Sequence, residues 1–432
     1  MAVDAVDHFE QGGWSCAILG LGYVGLPFAV NAVARGVRVV GFDVNSDKVA
    51  AIAGGRSPVD DVDDSELGTA LAAGLSVTSN PAELKSLDAY FICVPSPLGR
   101  SREPDLTYIR AAAHEVAQVA APGALVSLES TTYPGTTEDI ILAALESVGF
   151  TLDNDVFVAF SPERVDPGSS FALHQIPKVV GGVSRRSTDV AAAAYRTLVD
   201  EVHPVSDAKV AELAKLLENT YRSVNIALAN EMAQLAHELG VSIWETIDAA
   251  ATKPFGFTPF YPGPGVGGHC IPLDPQYLAW KAREVGGAIR FIDLAEQINT
   301  NMPRYVVDRT AEMLNDRGRA VRGSTVLAVG LTYKPNVADD RESPSVEVVA
   351  RLAGRGANVL VLEPMLTQAS VEAHGVTAVS GLGSLGAIDL AVILTDHDGI
   401  DYEGVAAAAP AVFDTRGAYR RRRVVAANVI EI

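Results

Sequence analysis

The chain has 432 residues, about three times the common domain size of roughly 150, which favours two or three domains. With 48% hydrophobic and 20% charged residues it is globular rather than disordered. The 34 Lys and Arg against 53 Asp and Glu leave a formal charge of −19, which argues against nucleic acid or an anionic membrane as partner.

Residues 1–13, MAVDAVDHFEQGG, lack the basic and apolar regions of a signal peptide and read as a flexible extension. No stretch reaches the roughly 18 apolar residues that a membrane span needs. An apolar strand, Cys16 to Leu19, then runs directly into Gly20, Gly22 and Gly25. A helix and a second strand follow, ending at Asp43, 18 residues beyond Gly25. That is a βαβ unit with a dinucleotide turn: Gly20 permits the tight turn, Gly22 lets backbone approach a pyrophosphate, and Gly25 lets helix pack on strand. Asp43 is placed to accept hydrogen bonds from ribose hydroxyls and to repel a 2′-phosphate, which favours NAD over NADP; Lys48 lies within reach of that region. Further strands are expected at Ala89 to Val94, Ala124 to Leu128, Val156 to Ala159 and Lys178 to Gly181, with alanine-rich helices between most of them. The alternation predicts a parallel, doubly wound sheet over about residues 14–205.

From Asp207 to Leu239 there is no Pro or Gly, and Val210, Leu213, Leu217, Val224, Leu228, Met232, Leu235 and Leu239 recur at helical spacing. A helix of that length extends roughly 50 Å, enough to bridge domains or build an oligomer interface. A Pro- and Gly-dense loop, Pro254 to Pro275, and further helix up to about Arg317 follow. Strands then return at Thr325 to Val329, Asn358 to Leu362, Leu390 to Leu394 and Val412 to Asp414. This second α/β domain opens with GLTYKPN in place of a GxGxxG turn, so it is not expected to hold a dinucleotide in the same manner. The Arg420 to Arg423 run reads as a solvated surface strand or turn.

Chemistry-bearing residues collect at expected strand ends and loops. Pro95 and Ser96 (in VPSP), Thr131 and Thr132 (in ESTTYPGTT) and Glu163 (in FSPERVDPG) each follow a strand, at the sheet edge where ligands of α/β folds bind. Taken alone, VPSP and Glu163 read equally as turn formers, and each threonine reads as a turn former first. Lys215 and Asn219 share a face of the long helix, as do Glu212 and Lys215, and a lysine with an amide suits a developing oxyanion. Cys270 follows a glycine-rich loop and Asp274 lies four residues on, a setting for a nucleophilic thiol or an inert one. His269 is expected to support the loop, and Cys16 and Cys93, inside strands, to be inert. Three cysteines support neither a disulfide framework nor a paired-cysteine zinc site; no metal is expected, and a reducing cytoplasm is.

Taken in order, GLGYVGL, TTYPGTT, SPERVDPG, ELAKLLENTYRSVNIALANE, PGPGVGGHCIPLDP and GLTYKPNVADDRESPS resemble the UDP-glucose/GDP-mannose dehydrogenase family over residues 14 to about 420. The resemblance implies an NAD-binding Rossmann domain (14–205), a central helical dimerisation domain (206–317) and a UDP-sugar-binding α/β domain (318–432), in a homodimer or higher homo-oligomer. It implies oxidation of a sugar C6 alcohol to a carboxylate with two NAD used in succession. Cys270 then traps the aldehyde as a thiohemiacetal that becomes a thioester. Lys215 and Asn219 stabilise oxyanions, Asp274 and Thr132 assist proton transfer or hold water, and Glu163 serves thioester hydrolysis. Tyr23, Val24, Pro95, Ser96 and Arg341 join the cofactor set; Arg164, Val165, Tyr261, Gly267, Gly268, Lys334 and Arg416 join the substrate set.

The segment from Pro162 to Gly168 resembles members that oxidise N-acetylated sugars, with UDP-N-acetylglucosamine first and UDP-N-acetylmannosamine or UDP-glucose as alternatives. Arg164 is the expected selector of the acetamido group. Two other classes stay open: a two-electron hydroxy-acid dehydrogenase, which needs no cysteine, and a noncatalytic NAD or nucleotide-sugar sensor.

Overall fold

The computed structural model describes residues 4–59, 61–99, 103–165, 171–268 and 271–432. Two compact units emerge: Met1–Glu218 with Gln276–Gly286, and Asn219–Pro275 with Gly287–Ile432.

Among the described residues the first unit is built on an eight-stranded sheet in the order β3-β2-β1-β4-β5-β6-β7-β8. The strands are β1 Ser15–Leu19, β2 Arg38–Phe42, β3 Ser76–Thr78, β4 Ala89–Ile92, β5 Ala124–Leu128, β6 Val156–Phe160, β7 Lys178–Gly182 and β8 Val202–Pro204. Every residue of β1, β4, β5 and β6 is buried, as expected when helices cover both faces of a parallel sheet. Cys16 and Ile18 join one core layer, Ala17 and Leu19 the other. One pairing departs from the parallel expectation: β7 runs antiparallel to β6, with Phe160 opposite Gly181.

The extension expected to be flexible is instead docked where it is described. Helix Ala5–Glu10 starts at Asp4, whose side chain accepts from Val6 N–H at 3.0 Å. Phe9 is fully buried, its ring edge-on to Trp14 at 5.3 Å, and His8 Nε2 lies 3.0 Å from Asp88 Oδ1. One apolar side chain with a core pocket is enough to order this turn of chain.

The second unit carries a six-stranded sheet, again counted among the described residues, in the order β11-β10-β9-β12-β13-β14 and parallel throughout. Its strands are β9 Thr325–Val329, β10 Asn358–Leu362, β11 Thr377–Ala378, β12 Leu390–Ile393, β13 Val412–Asp414 and β14 Val429–Glu431. In both sheets the order reverses beside the first strand, at β1/β4 and β9/β12, and such a switch point opens a crevice at the carboxyl ends of the strands. The long helix spans Ala208–Leu239. The arginine run lies on the surface as expected, with Arg420, Arg421 and Arg423 exposed, but it forms a short helix, Ala418–Arg422, in place of a strand or turn. It is also anchored: Arg420 bonds Asp248 at 3.1 Å, Arg421 bonds Asp396 at 2.6 Å and Arg422 bonds Asp398 at 2.8 Å.

Candidate active site

In the first unit, β1 ends at Gly20, whose φ of +94° is left-handed and where a Cβ would stand 2.7 Å from Cys93 O. A Cβ on Gly25 would stand 1.8 Å from Gly20 O, so the following helix, Gly25–Ala34, packs on this turn only through glycine. At Gly22 an added Cβ meets nothing within 4 Å. The helix start has no side-chain cap and no acid in its first turn. Open space over an uncapped helix N-terminus fits a pyrophosphate.

Asp43 stands just beyond β2, and its Oδ2 accepts from Leu21 N–H at 3.0 Å and from Lys48 Nζ at 2.7 Å. Oδ1 accepts from Asn45 N–H at 3.0 Å. The acid is therefore fixed at the turn, with Lys48 neutralising part of its charge.

Past β4, Ser96 O and Pro97 O accept from Tyr277 OH. Thr132, past β5, is buried, 2.7 Å from the Thr136 hydroxyl. Thr136 donates its own proton to Tyr133 O at 2.8 Å, so Thr132 is the donor of that pair and presents lone pairs elsewhere. The segment after β6 brings Glu163 and Lys215 together: Lys215, buried on the long helix, donates to Glu163 O at 2.5 Å, and the Glu163 carboxylate accepts from Val165 N–H. Arg164 lies in a bidentate pair with Glu218, at 2.6 and 3.2 Å, and donates to Pro177 O at 2.9 Å. A cleft of about 390 Å³, solvent mouth included, is lined by Tyr23, Val24, Glu129, Glu163, Arg164 and Val165 among others.

Two features of this unit had no functional reading from sequence. Glu212 is fully buried and accepts from Gly135 N–H at 2.6 Å, Thr137 N–H at 2.9 Å and the Thr137 hydroxyl at 2.7 Å. It ties the threonine turn to the helix that bears Lys215, and burial pushes its carboxyl up to about 7 against these bonds. Glu129, buried at the end of β5, is paired with Lys178 and accepts from Tyr195 OH. Lys178 also donates to Pro162 O at 3.1 Å, one residue before Glu163. Burial raises the Glu129 carboxyl, partly offset by Lys178. An acid three residues before a predicted site lysine, and another opening ESTTYPGTT, were the available signals.

In the second unit the Asn219 amide donates to Asp274 Oδ2, and Asp274 is buried at the start of helix Asp274–Glu284. Cys270 and His269 lie outside the described residues, as do Asp166 to Gly168. The glycine loop before Cys270 packs on the segment that follows β9. A Cβ on Gly267 would meet Glu342 O at 2.7 Å, and one on Gly268, at φ +85°, would meet the Tyr333 ring at 2.8 Å. Asn230 accepts from Gly263 N–H at 3.0 Å and donates to Asn299 at 3.0 Å, fixing the loop's start. Tyr261 stacks on Trp244 and donates to Asp248 at 2.8 Å. Lys334 is half-buried on the turn after β9. Arg341 is paired with Asp339 at 2.7 and 2.8 Å. Arg416 donates to Leu394 O at 2.7 Å, and its guanidinium would stand 2.8 Å from a Cβ on Gly263; burial pulls its basicity down.

The chain matches the family models of the UDP-glucose/GDP-mannose dehydrogenases: the NAD binding domain over residues 14–199, the central domain over 209–301 and the UDP binding domain over 327–421. It is 37% identical over 385 residues to UDP-N-acetyl-D-glucosamine 6-dehydrogenase of Pseudomonas aeruginosa, covering 88% of this chain and 90% of that protein. With NDP-N-acetyl-D-galactosaminuronic acid dehydrogenase of Ralstonia nicotianae it shares 35% identity over 424 residues, 95% of this chain and 97% of that one. The solved UDP-D-ManNAc dehydrogenase of Pyrococcus horikoshii superposes with a TM-score of 0.88 at 34% identity, over 96% of this chain and 98% of that chain.

Proposed function

The chain belongs to the UDP-glucose/GDP-mannose dehydrogenase family, with an NAD-binding and a UDP-binding domain, and on that premise we propose that it oxidises the C6 alcohol of a UDP-N-acetylhexosamine, UDP-N-acetylglucosamine first, to the carboxylate. Four electrons leave C6 and one water is consumed per acid formed. NAD supplies the hydride acceptor, one molecule for each two-electron oxidation. Gly20, Gly22, Gly25 and the helix start hold its pyrophosphate and Asp43 its adenosine ribose; Tyr23, Val24, Lys48, Pro95, Ser96 and Arg341 complete that set.

The Cys270 thiolate adds to the C6 aldehyde: the S–C bond forms, the carbonyl π pair moves to oxygen, and Lys215 and Asn219 hold the resulting oxyanion. Loss of the second hydride leaves a thioester. Water adds to that carbonyl and the thiolate departs, with Glu163 and Asp274 taking up protons and Thr132 presenting a lone pair to the water. Val165, Tyr261, Gly267, Gly268, Lys334 and Arg416 seat the nucleotide sugar. Arg164, steadied by Glu218, faces the acetamido group.

The observation that best supports this reading is Lys215, a buried ammonium bonded to the backbone of Glu163. A buried ammonium held by a rigid helix against the segment that follows β6 suits carbonyl chemistry. UDP-N-acetylmannosamine is the second reading, favoured by the substrate name of the Pyrococcus horikoshii relative. A panel of UDP-glucose, UDP-N-acetylglucosamine and UDP-N-acetylmannosamine followed by NADH formation tests both. Turnover is expected to be fastest with an N-acetylated sugar, and equal turnover of UDP-glucose and UDP-N-acetylglucosamine contradicts the assignment to Arg164.

A further inference from the structure

The second unit repeats the strand–glycine–acid joint of the first, with one replacement. In the first, Gly20 N–H donates to Phe42 O at 2.8 Å and Leu21 N–H to Asp43 Oδ2 at 3.0 Å. In the second, Gly330 N–H donates to Leu362 O at 2.9 Å and Leu331 N–H to Glu363 Oε2 at 2.6 Å. Both glycines are left-handed, at +94° and +83°. Glu363 thus occupies the position that takes ribose hydroxyls in a dinucleotide site.

It is closed to any such ligand. The Glu363 and His397 side chains have no solvent exposure and stand 3.1 Å apart. Glu363 also accepts from Thr332 N–H at 3.2 Å and Met365 N–H at 2.7 Å. Asn336 N–H donates to His397 Nδ1 at 3.0 Å, so Nδ1 offers its lone pair there and Nε2–H points to Glu363. The imidazole therefore joins the two ends of the turn 331–336. Asn336, at φ +60°, adds a reciprocal pair of bonds to Asp398, at 2.7 and 3.0 Å. Tyr333 and Lys334 lie between these anchors, and Thr332 donates to Lys334 O at 3.0 Å.

We propose that His397 and Glu363 are positioning residues for the nucleotide sugar, setting the turn that presents Tyr333 and Lys334. This rests on the reading that Lys334 contacts the UDP-sugar. Loss of the imidazole removes a donor from Glu363 and the acceptor of Asn336 N–H, and the turn loses its fixed shape. The consequence falls on sugar-nucleotide affinity and leaves the cofactor's affinity alone.

The test uses the full chain, with UDP binding by calorimetry and KM for UDP-N-acetylglucosamine and for NAD, in wild type, Lys334→Ala, His397→Ala, Asn336→Gly and Glu363→Gln. Removing one bond to a charged group predicts that His397→Ala weakens UDP and raises the sugar KM about tenfold or more, with the NAD KM within roughly twofold. Asn336→Gly sits at an exposed position whose left-handed φ suits glycine; it keeps the N–H that His397 accepts and loses only the Asp398 pair, so it shifts the same constants in the same direction by less. Glu363→Gln, which weakens the bonds from Leu331, Thr332 and His397 at the same volume, shifts them likewise and decides the matter if His397→Ala does not fold. An unchanged sugar KM in a folded variant, or an equal rise in the NAD KM as a general loss of structure would give, overturns the proposal. Equal UDP affinity in wild type and Lys334→Ala refutes instead the reading of Lys334, and the proposal with it.

Discussion

Cys270 and Lys215 divide the proposed chemistry between a nucleophile and an oxyanion partner, so their substitutions differ in kind. Cys270→Ser is expected to abolish acid formation and to stop at aldehyde-level product, read by product analysis; normal acid yield would remove the covalent route. Lys215→Ala loses a preorganised donor and is expected to lower kcat about 100- to 1000-fold, with the KM for NAD unchanged. Glu212 carries a pH signature. Its folded carboxyl titrates near 7 against an ordinary value of 4.5, so between those values the folded protein binds more protons than the unfolded chain. Stability from this group is full below pH 4.5 and falls as pH rises to about 7, by at most about 3 kcal/mol. The drop in Tm between pH 5.5 and 7.5 is expected to shrink in Glu212→Gln, and an unchanged drop contradicts the assignment. The glycine turn and Asp43 were readable in sequence because close backbone approach admits only glycine, and the acid falls at a fixed strand tip. The contacts of Glu212, Glu129 and His397 were not, because each bridges positions far apart in the chain, which periodicity cannot report.

At the scale of elements, the strands predicted from sequence, β1, β2, β4, β5, β6, β7, β9, β10, β12 and β13, are three to five residues long and mostly buried, with β1, β4, β5, β6, β12 and β13 buried at every residue. The edge strands β3, β8, β11 and β14 went unseen. Two or three residues long and partly exposed, they carry too little pattern to separate from loop. The N-terminal helix escaped for the same reason, since six residues with one buried side chain resemble an acidic tail. That side chain makes the helix testable: Phe9→Ala is expected to cost about 3–5 kcal/mol, measured by denaturant unfolding, and no loss of stability would return residues 5–10 to the status of a loose extension.

Across the whole molecule, the helical periodicity that revealed Ala208–Leu239 has a second meaning. Leu228, Met232, Leu235 and Leu239 recur every three or four residues and are exposed, as are Phe291 and Leu294 on helix Arg290–Asn315. Apolar stripes left in water mark an association surface, and we propose that this one joins two copies of the chain. Leu228→Asp with Leu235→Asp is expected to shift sedimentation toward monomer; no shift would place the interface elsewhere. The net charge of −19 bears on polyanions alone, because local glycine amides and cations serve small diphosphate ligands whatever the global field.

The account turns on a four-electron oxidation, and the most direct measurement is the NADH formed per UDP-N-acetylglucosamine consumed. Two NADH with uronic acid as product is the predicted result; one NADH with product halted at the aldehyde would contradict it.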